Sequence, residues 1–303
     1  MLTSRLAESV DDLRTATDLM SHAWRSGSRL VAATPAAVEW WYVVSTDPLR
    51  EHLRLWEANG TPVAWSWVED GELEWHVWTG DVAVDVTVLR AIVEAALEAS
   101  AGRTIGTWSA EDDGATIALL GELGFRPEGR RLSQWQWHDT DPPPAVSAVP
   151  DGYRIRGLKG TDEFAARVDL HRRAFPASQL TVAKYERIIE VAHYRFEDDL
   201  VVETDDGSLA AYALGWWDPL GRVAEFEPVG THPDHQRQGL ARALLTHGLH
   251  RFFERGAATV QVYSDVSAAP AEALYEALGF RRRAFHQRHE HPATTPPAVR
   301  STP

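Results

Sequence analysis

Apolar positions along the chain change period many times, and the changes mark a series of short helical and extended segments. Residues 9–25 and 35–44 repeat apolar side chains at helical spacing, with Ser/Thr and Pro35 as start signals. Extended runs follow at Glu51–Ala58, Thr61–Glu69 and Glu72–Thr79, separated by Asn59-Gly60 and Asp70-Gly71, both hairpin-turn pairs. A helix over Asp85–Ser100, a strand over Thr104–Ser109, a helix over Asp112–Leu123 and a strand over Arg131–His138 complete this series. Period-two alternation puts Trp65 and Trp67 on one strand face, and Trp135 and Trp137 on another. They form either aromatic core or the wall of a pocket.

A second series begins with a strand at Tyr153–Arg156 and helices at Asp162–Ala174 and Thr181–Arg195. Strands follow at Leu200–Glu203, Leu209–Trp217 and Arg222–Gly230. A long helix then runs from Gly239 to a stop at Gly256, followed by strand Ala258–Tyr263, helix Pro270–Leu278 and strand Phe280–His289. The two series are copies. Residues 118–126 (ALLGELGFR) match residues 273–281 (ALYEALGFR) at six of nine positions, with an offset of 155. The expected division is therefore a first domain over 1–140, a Pro-rich linker over 141–150, a second domain over 151–291 and a disordered tail over 292–303.

Composition adds limits. The 303 residues carry a net charge of −14, of which residues 1–150 hold 11 Lys+Arg against 23 Asp+Glu. So acidic a chain is a poor nucleic-acid binder. The acidity serves solubility, or it draws a cationic substrate. Without cysteine, disulfides and thiolate–zinc sites are excluded. The first dozen residues show no apolar signal core and no stretch has membrane-spanning length, so a cytoplasmic protein without membrane contact is expected. Eleven of thirteen tryptophans lie before residue 150.

The most informative stretch is residues 229–245 (VGTHPDHQRQGLARALL), an extended run that turns into a long helix. The first amides of such a helix are unpaired and its dipole is positive there, which suits a pyrophosphate. Gly239 permits close backbone approach, while Arg237 and Arg242 add charge.

Gln236-x-x-Gly239-x-Ala241, following Val-x-x-His-Pro, resembles the acetyl-CoA signature of the GNAT acetyltransferases. The resemblance spans the chain in element order, but the signature stands in the second half alone. It implies an α/β protein of two tandem GNAT folds, each a mixed, mainly antiparallel twisted sheet flanked by helices. The first copy is degenerate: the offset carries 236–241 back onto Asp81–Val86, where aspartates would repel phosphate. The implied activity is direct acetyl transfer from acetyl-CoA to a small-molecule or peptide amine in a ternary complex, without metal. Acetyl-CoA would lie along Val229, Gly230 and Thr231 and on Gln236, Arg237, Gln238, Gly239, Leu240, Ala241 and Arg242. The linked copies would bury one another's dimerisation surfaces in a monomer.

An ordinary amine with a pKa near 10.4 is neutral in roughly one molecule in a few thousand at pH 7, so a base is required. Glu225 and Glu227 alternate along one strand face shared with Val229, at spacings where relatives carry a base. Glu225 is preferred as base or water relay and Glu227 as the group orienting the amine, with the reverse open. The plain alternative is a charged strand face in solvent. Pro228 marks a bulge there. Tyr275, in the family's Ala-x-x-Leu-Tyr-x-x-x-Gly-Phe pattern, would donate a hydrogen bond to the departing thiolate, and the Val229 amide to the oxyanion.

Ala268 stands where the family often has an asparagine. Tyr263 stands where the ribosomal-protein branch has a glutamate base, which disfavours that branch. By family layout, Trp216, Trp217 and Asp218 line the acceptor cleft. His286, His289 and His291 read as surface residues rather than a metal cluster. Two rival readings remain: a CoA-binding regulator or scaffold, and a thiol-metabolite acetyltransferase of the mycothiol-synthase type.

Overall fold

A computed structural model describes residues 1–27, 33–46, 48–80 and 85–293. Residues 81–84 of the stretch equivalent to the phosphate loop (Asp81–Val86) and the tail from residue 294 lie outside the described residues.

The first half runs β1 (Leu2–Leu6), α1 (Val10–Arg25), α2 (Pro35–Val44), α3 (Pro48–His52), β2 (Leu53–Ala58), β3 (Thr61–Glu69), β4 (Glu72–Val77), α4 (Val86–Ser100), β5 (Ile105–Ala110), α5 (Gly114–Glu122) and β6 (Arg126–His138). The second runs β7 (Tyr153–Gly157), α6 (Phe164–Ala174), α7 (Val182–Tyr185), β8 (Asp199–Thr204), β9 (Leu209–Asp218), β10 (Val223–Thr231), α8 (Leu240–Glu254), β11 (Thr259–Asp265), α9 (Ala269–Ala277) and β12 (Arg281–His291). Thr34 caps α2, its side chain accepting from the Ala36 amide, and Pro35 opens the helix as its sequence signals. The helix expected over 181–195 is shorter: α7 passes into a 3-10 turn over Glu186–Glu190.

The twelve strands of the described residues form one sheet in the order β1-β2-β3-β4-β5-β12-β6-β11-β10-β9-β8-β7, mostly antiparallel, with β4–β5 and β10–β11 parallel. The halves do not keep their strands to themselves. β12 pairs with β5 and β6, while β6 pairs with β11, so each half closes its sheet with the other's last strand. The central pairs Arg281↔Gln136 and Arg126↔Glu290 are nearly symmetric under the repeat offset, which makes the centre a pseudo-twofold. Trp135 and Trp137 of β6 thereby enter the second half's core beside Tyr275 and Val262. The 139–150 linker runs along α8, where the Ser147 amide donates to Thr246 Oγ1 (3.0 Å) and His250 Nε2 contacts the Pro144 carbonyl (2.7 Å).

Alternation along the strands divides the interior. On one face Tyr212, Leu214 and Trp216 of β9 join α1, α2, α6 and α7 in a core that spans both halves. On the other, Ala211, Ala213 and Phe226 pack under α8, and the first half has its own core under α4 and α5. Gly248 of α8 lets Phe226 lie against the helix, since a Cβ there would stand 2.6 Å from its ring. The face shared by both halves holds the candidate site.

Candidate active site

β10 supplies the carboxylates. It pairs with β11 only over Val223–Glu225, opposite Thr259–Gln261, and then leaves it. A bulge between Phe226 and Val229 breaks its register with β9, at the position Pro228 signals. The bulge corrects one expectation: Val229 packs toward α8 instead of sharing a face with Glu225 and Glu227. Both glutamates line a cavity of about 330 Å³ between the halves. Its first-half wall includes Trp40, Trp41, Trp65, Trp75, Trp78 and Trp108, so these tryptophans bound a pocket while others fill core.

The carboxylates are not a solvated strand face. Glu225 is buried; Thr34 Oγ1 donates to its Oε2 through a short bond, and Gln261 donates to it as well. Burial first, then Glu227's charge, pushes the Glu225 carboxyl up to about 8. Burial alone raises Glu227 to about 7. Two carboxyls poised near neutrality in a cavity can exchange protons with a bound amine.

Their stability cost has a definite sign. Above the ordinary carboxyl value of 4.5 the unfolded chain ionises Glu225, whereas the folded chain keeps its proton until about 8. The folded state binds more protons across that window, so stability falls as pH rises through it. Glu225→Gln should therefore raise the melting temperature at pH 8 more than at pH 5. Equal shifts at both values, in thermal melts of the ligand-free protein, would contradict this.

Backbone on the open side of β10 is accessible for pairing. The Gly215 amide of β9 donates to the Asp198 carbonyl, so Gly215, Ala213 and Ala211 face β8. Their partners Val229 and Thr231 therefore direct N–H and C=O away from β9, into the gap that β11 vacates. Gly230 is packed so closely that a Cβ would stand 2.6 Å from Tyr212.

The loop after β10 reaches α8 through Arg237 and Gly239, both at positive φ (66° and 80°). Tyr153 Oη holds the loop by bonds to His235 and Gln238, each 2.9 Å. Gly239 is the N-cap of α8 with no side-chain cap, and space around its Cβ position is open. Gln236, Arg237, Gln238 and Gly239 are exposed, Leu240 is buried and Ala241 and Arg242 are half-buried. Neither arginine has an ion-pair partner among the described residues. The equivalent helix differs in kind: Asp85 caps α4 and accepts from the Thr87 and Val88 amides (2.9 and 3.4 Å). Its own carboxylate fills the place an anion would take.

Tyr275 is buried between Trp135 and Phe280, with ring centroids 6.4 and 6.0 Å away. Burial and then the charge of Glu227 raise its phenol above the usual range.

Other expected residues lie elsewhere. Trp216, Trp217 and Asp218 are buried and do not line the cavity. Trp216 Nε1 donates to the Glu227 carbonyl (2.7 Å), fixing the bulge from behind. Trp217 stacks on Phe252 beneath α8, and Asp218 accepts from the Leu220 and Gly221 amides in a turn. Two of the three histidines, His286 and His289, are buried rather than at the surface. His286 is buried and lines the cavity, His289 Nε2 meets Ser109 Oγ (3.0 Å), and His291 packs on Phe125. Sequence reasoning passed over Thr34, Glu74 and His76. The repeat offset places β4 opposite β10, and that signal could have drawn attention to Glu74.

A family model described as Acetyltransferase (GNAT) family matches residues 164–280. Mycothiol acetyltransferase of Thermomonospora curvata is 30% identical over 210 residues, 67% of this chain and 68% of that protein. The [ribosomal protein bS18]-alanine N-acetyltransferase of Escherichia coli K12 is 35% identical over 141 residues, 46% of this chain and 88% of that one. Among solved structures, a tandem GNAT protein from the clavulanic acid biosynthesis pathway superposes with a TM-score of 0.68 at 19% identity, covering 98% of this chain and 99% of its own. A GCN5-related N-acetyltransferase from Sphaerobacter thermophilus gives 0.64 at 18%, with 99% and 98% covered. These two show the fold. The signature half, the family match and the relatives agree, and the chain belongs to the GNAT family of acetyltransferases.

Proposed function

We propose that this chain transfers an acetyl group from acetyl-CoA directly to an amine held in the inter-half cavity. The observation that carries this reading is the convergence of Glu225, Glu227 and the open edge of β10 on one place. The Val229 carbonyl and the Thr231 amide would pair with the pantetheine arm, and the uncapped start of α8, with Arg237 and Arg242, would hold the pyrophosphate.

Glu227 is the better base. Its carboxyl has no hydrogen-bond partner among the described residues, whereas Glu225 is tied to Thr34 and Gln261. Its charge also reaches Tyr275, where the thiolate would leave. In this scheme Glu227 accepts a proton from the ammonium, and the freed lone pair adds to the thioester carbonyl. The Val229 amide donates to the resulting oxyanion. The C–S bond then breaks while Tyr275 Oη donates to the departing sulfur. A phenol above 10 facing a thiol near 8.5 makes full proton transfer uphill, so Tyr275 acts by hydrogen bonding. The excess proton leaves through the carboxyl pair.

Tyr275→Phe should slow CoA release about 10–100-fold with little change in acetyl-CoA affinity. An unchanged rate in a thiol-release assay would remove Tyr275 from the mechanism, and tight binding without turnover on any amine would favour the scaffold reading. Identity to mycothiol acetyltransferase supports a second reading, acetylation of a thiol-bearing metabolite. The same assay, with the free amine of such a metabolite as acceptor, tests it.

A further inference from the structure

The cavity holds more carboxyl groups than one amine requires. Glu74, on β4, joins Glu225 and Glu227 in its wall, and none of the three has an ion pair among the described residues. Two nearby acids are engaged: Asp112 pairs with Arg283 (3.2 Å), and Asp113 caps α5 by accepting from the Thr116 amide (3.1 Å). The two histidines of the wall bring no compensating charge, because burial pushes His76 and His286 down to about 4. Burial and then the charge of Glu72 raise Glu74 to about 8, so its carboxyl keeps a proton near neutrality until a cation beside it favours ionisation.

One further group can accept from a cation. His76 Nε2 has no hydrogen-bond partner among the described residues, and the residue is more than nine-tenths buried while lining the cavity. Bonding to the Leu19 backbone uses the other ring nitrogen, which leaves Nε2 as an acceptor for an ammonium N–H. Unpaired polar atoms buried in this way cost stability unless something bonds them. Six tryptophans stand in the wall, and an indole face attracts a cation desolvated against it. A volume of about 330 Å³ is near the lower end for small-ligand pockets, so the occupant is small.

We propose that the acceptor carries two cationic groups, as an aliphatic diamine or short polyamine does. One amine reacts at Glu227, and the second is held by Glu74 against the tryptophan wall of the first half. The inference rests on the acetyl-transfer reading for its first amine but not for its second. It gives the degenerate half a role in recognising the end of the acceptor that does not react.

The test compares 1,4-diaminobutane with 1-aminobutane on the full chain and on Glu74→Gln. With acetyl-CoA present, the wild type should show a KM for the diamine roughly 10–100-fold below that for the monoamine. Glu74→Gln should erase most of that preference by raising the diamine's KM, leaving kcat and the monoamine nearly unchanged. Tryptophan fluorescence titration without acetyl-CoA provides a readout independent of turnover. Diamine-selective quenching that is lost in Glu74→Gln upholds the second-cation site even if no acetylation occurs, in which case only the catalytic reading fails. Equal affinity for both amines, or selectivity that survives in Glu74→Gln, overturns the proposal. The substitution is isosteric, and an unchanged circular-dichroism spectrum with a melting temperature no lower than the wild type's shows that any loss is local.

Discussion

Glu227→Gln is expected to lower kcat by about 10²–10⁴-fold, the usual span for loss of a positioned general base. The amide keeps the shape of the carboxyl and can still contact the amine, but it cannot accept the proton. In the wild type, kcat/KM should climb between about pH 6 and 8, since the Glu225–Glu227 pair must be ionised and its members sit at about 8 and 7. These protons leave a coupled pair, so the rise belongs to both groups. In Glu227→Gln the rise should flatten. Glu225→Gln should cost less, about tenfold, because Glu225 is held by Thr34 and Gln261 and acts mainly through the charge it places beside its neighbour. If Glu225→Gln is the crippled variant and Glu227→Gln keeps its activity, the roles are exchanged. If both retain wild-type kcat and pH dependence, the base lies outside β10.

Local chemistry made much of this molecule legible. Thr34-Pro35 opens α2, Asn59-Gly60 and Asp70-Gly71 bound β3, and Gly239 precedes α8, each because a cap or a turn depends on one residue type. β1 escaped because four of its five residues are exposed and carry no apolar alternation; its backbone pairing with β2 holds it. The exchange of β6 and β12 has no local signature at all. Both strands follow similar helices in similar copies, so either could close either half, and only the assembled sheet selects. Trp216, Trp217 and Asp218 were misplaced for a related reason. Their place along the chain follows the family layout, but strand alternation sends Trp217 under α8, and Asp218 turns back to its own loop. The cavity combines both lessons. Glu225 and Glu227 drew attention by their spacing in the second half, whereas Glu74, His76 and the indoles come to face them only when the halves meet.

Gly239→Glu is expected to weaken acetyl-CoA binding by about 100-fold or more. The two copies within this chain supply the reasoning. α4 begins with Asp85, whose carboxylate bonds two of the helix's first amides, and α8 begins with Gly239, whose corresponding amides have no side chain to meet. A glutamate at 239 would extend into the open space beside that glycine, where a pyrophosphate would sit on the amides. Like charges about 4 Å apart repel by ~1 kcal/mol in water and ~4 kcal/mol near a protein surface. Displacement of the phosphate from the amides adds to this, and a total near 3 kcal/mol corresponds to about 100-fold. Strain is a separate, smaller contribution, because Gly239 sits at φ +80° and any side chain is disfavoured there by ~1–2 kcal/mol. Gly239→Ala isolates that contribution and should weaken binding far less. Calorimetric titration of acetyl-CoA into the three proteins separates the effects, and α4 shows that a helix so capped still folds. Wild-type affinity in Gly239→Glu would mean that the pyrophosphate lies elsewhere, and Arg237 and Arg242 would lose their proposed role with it.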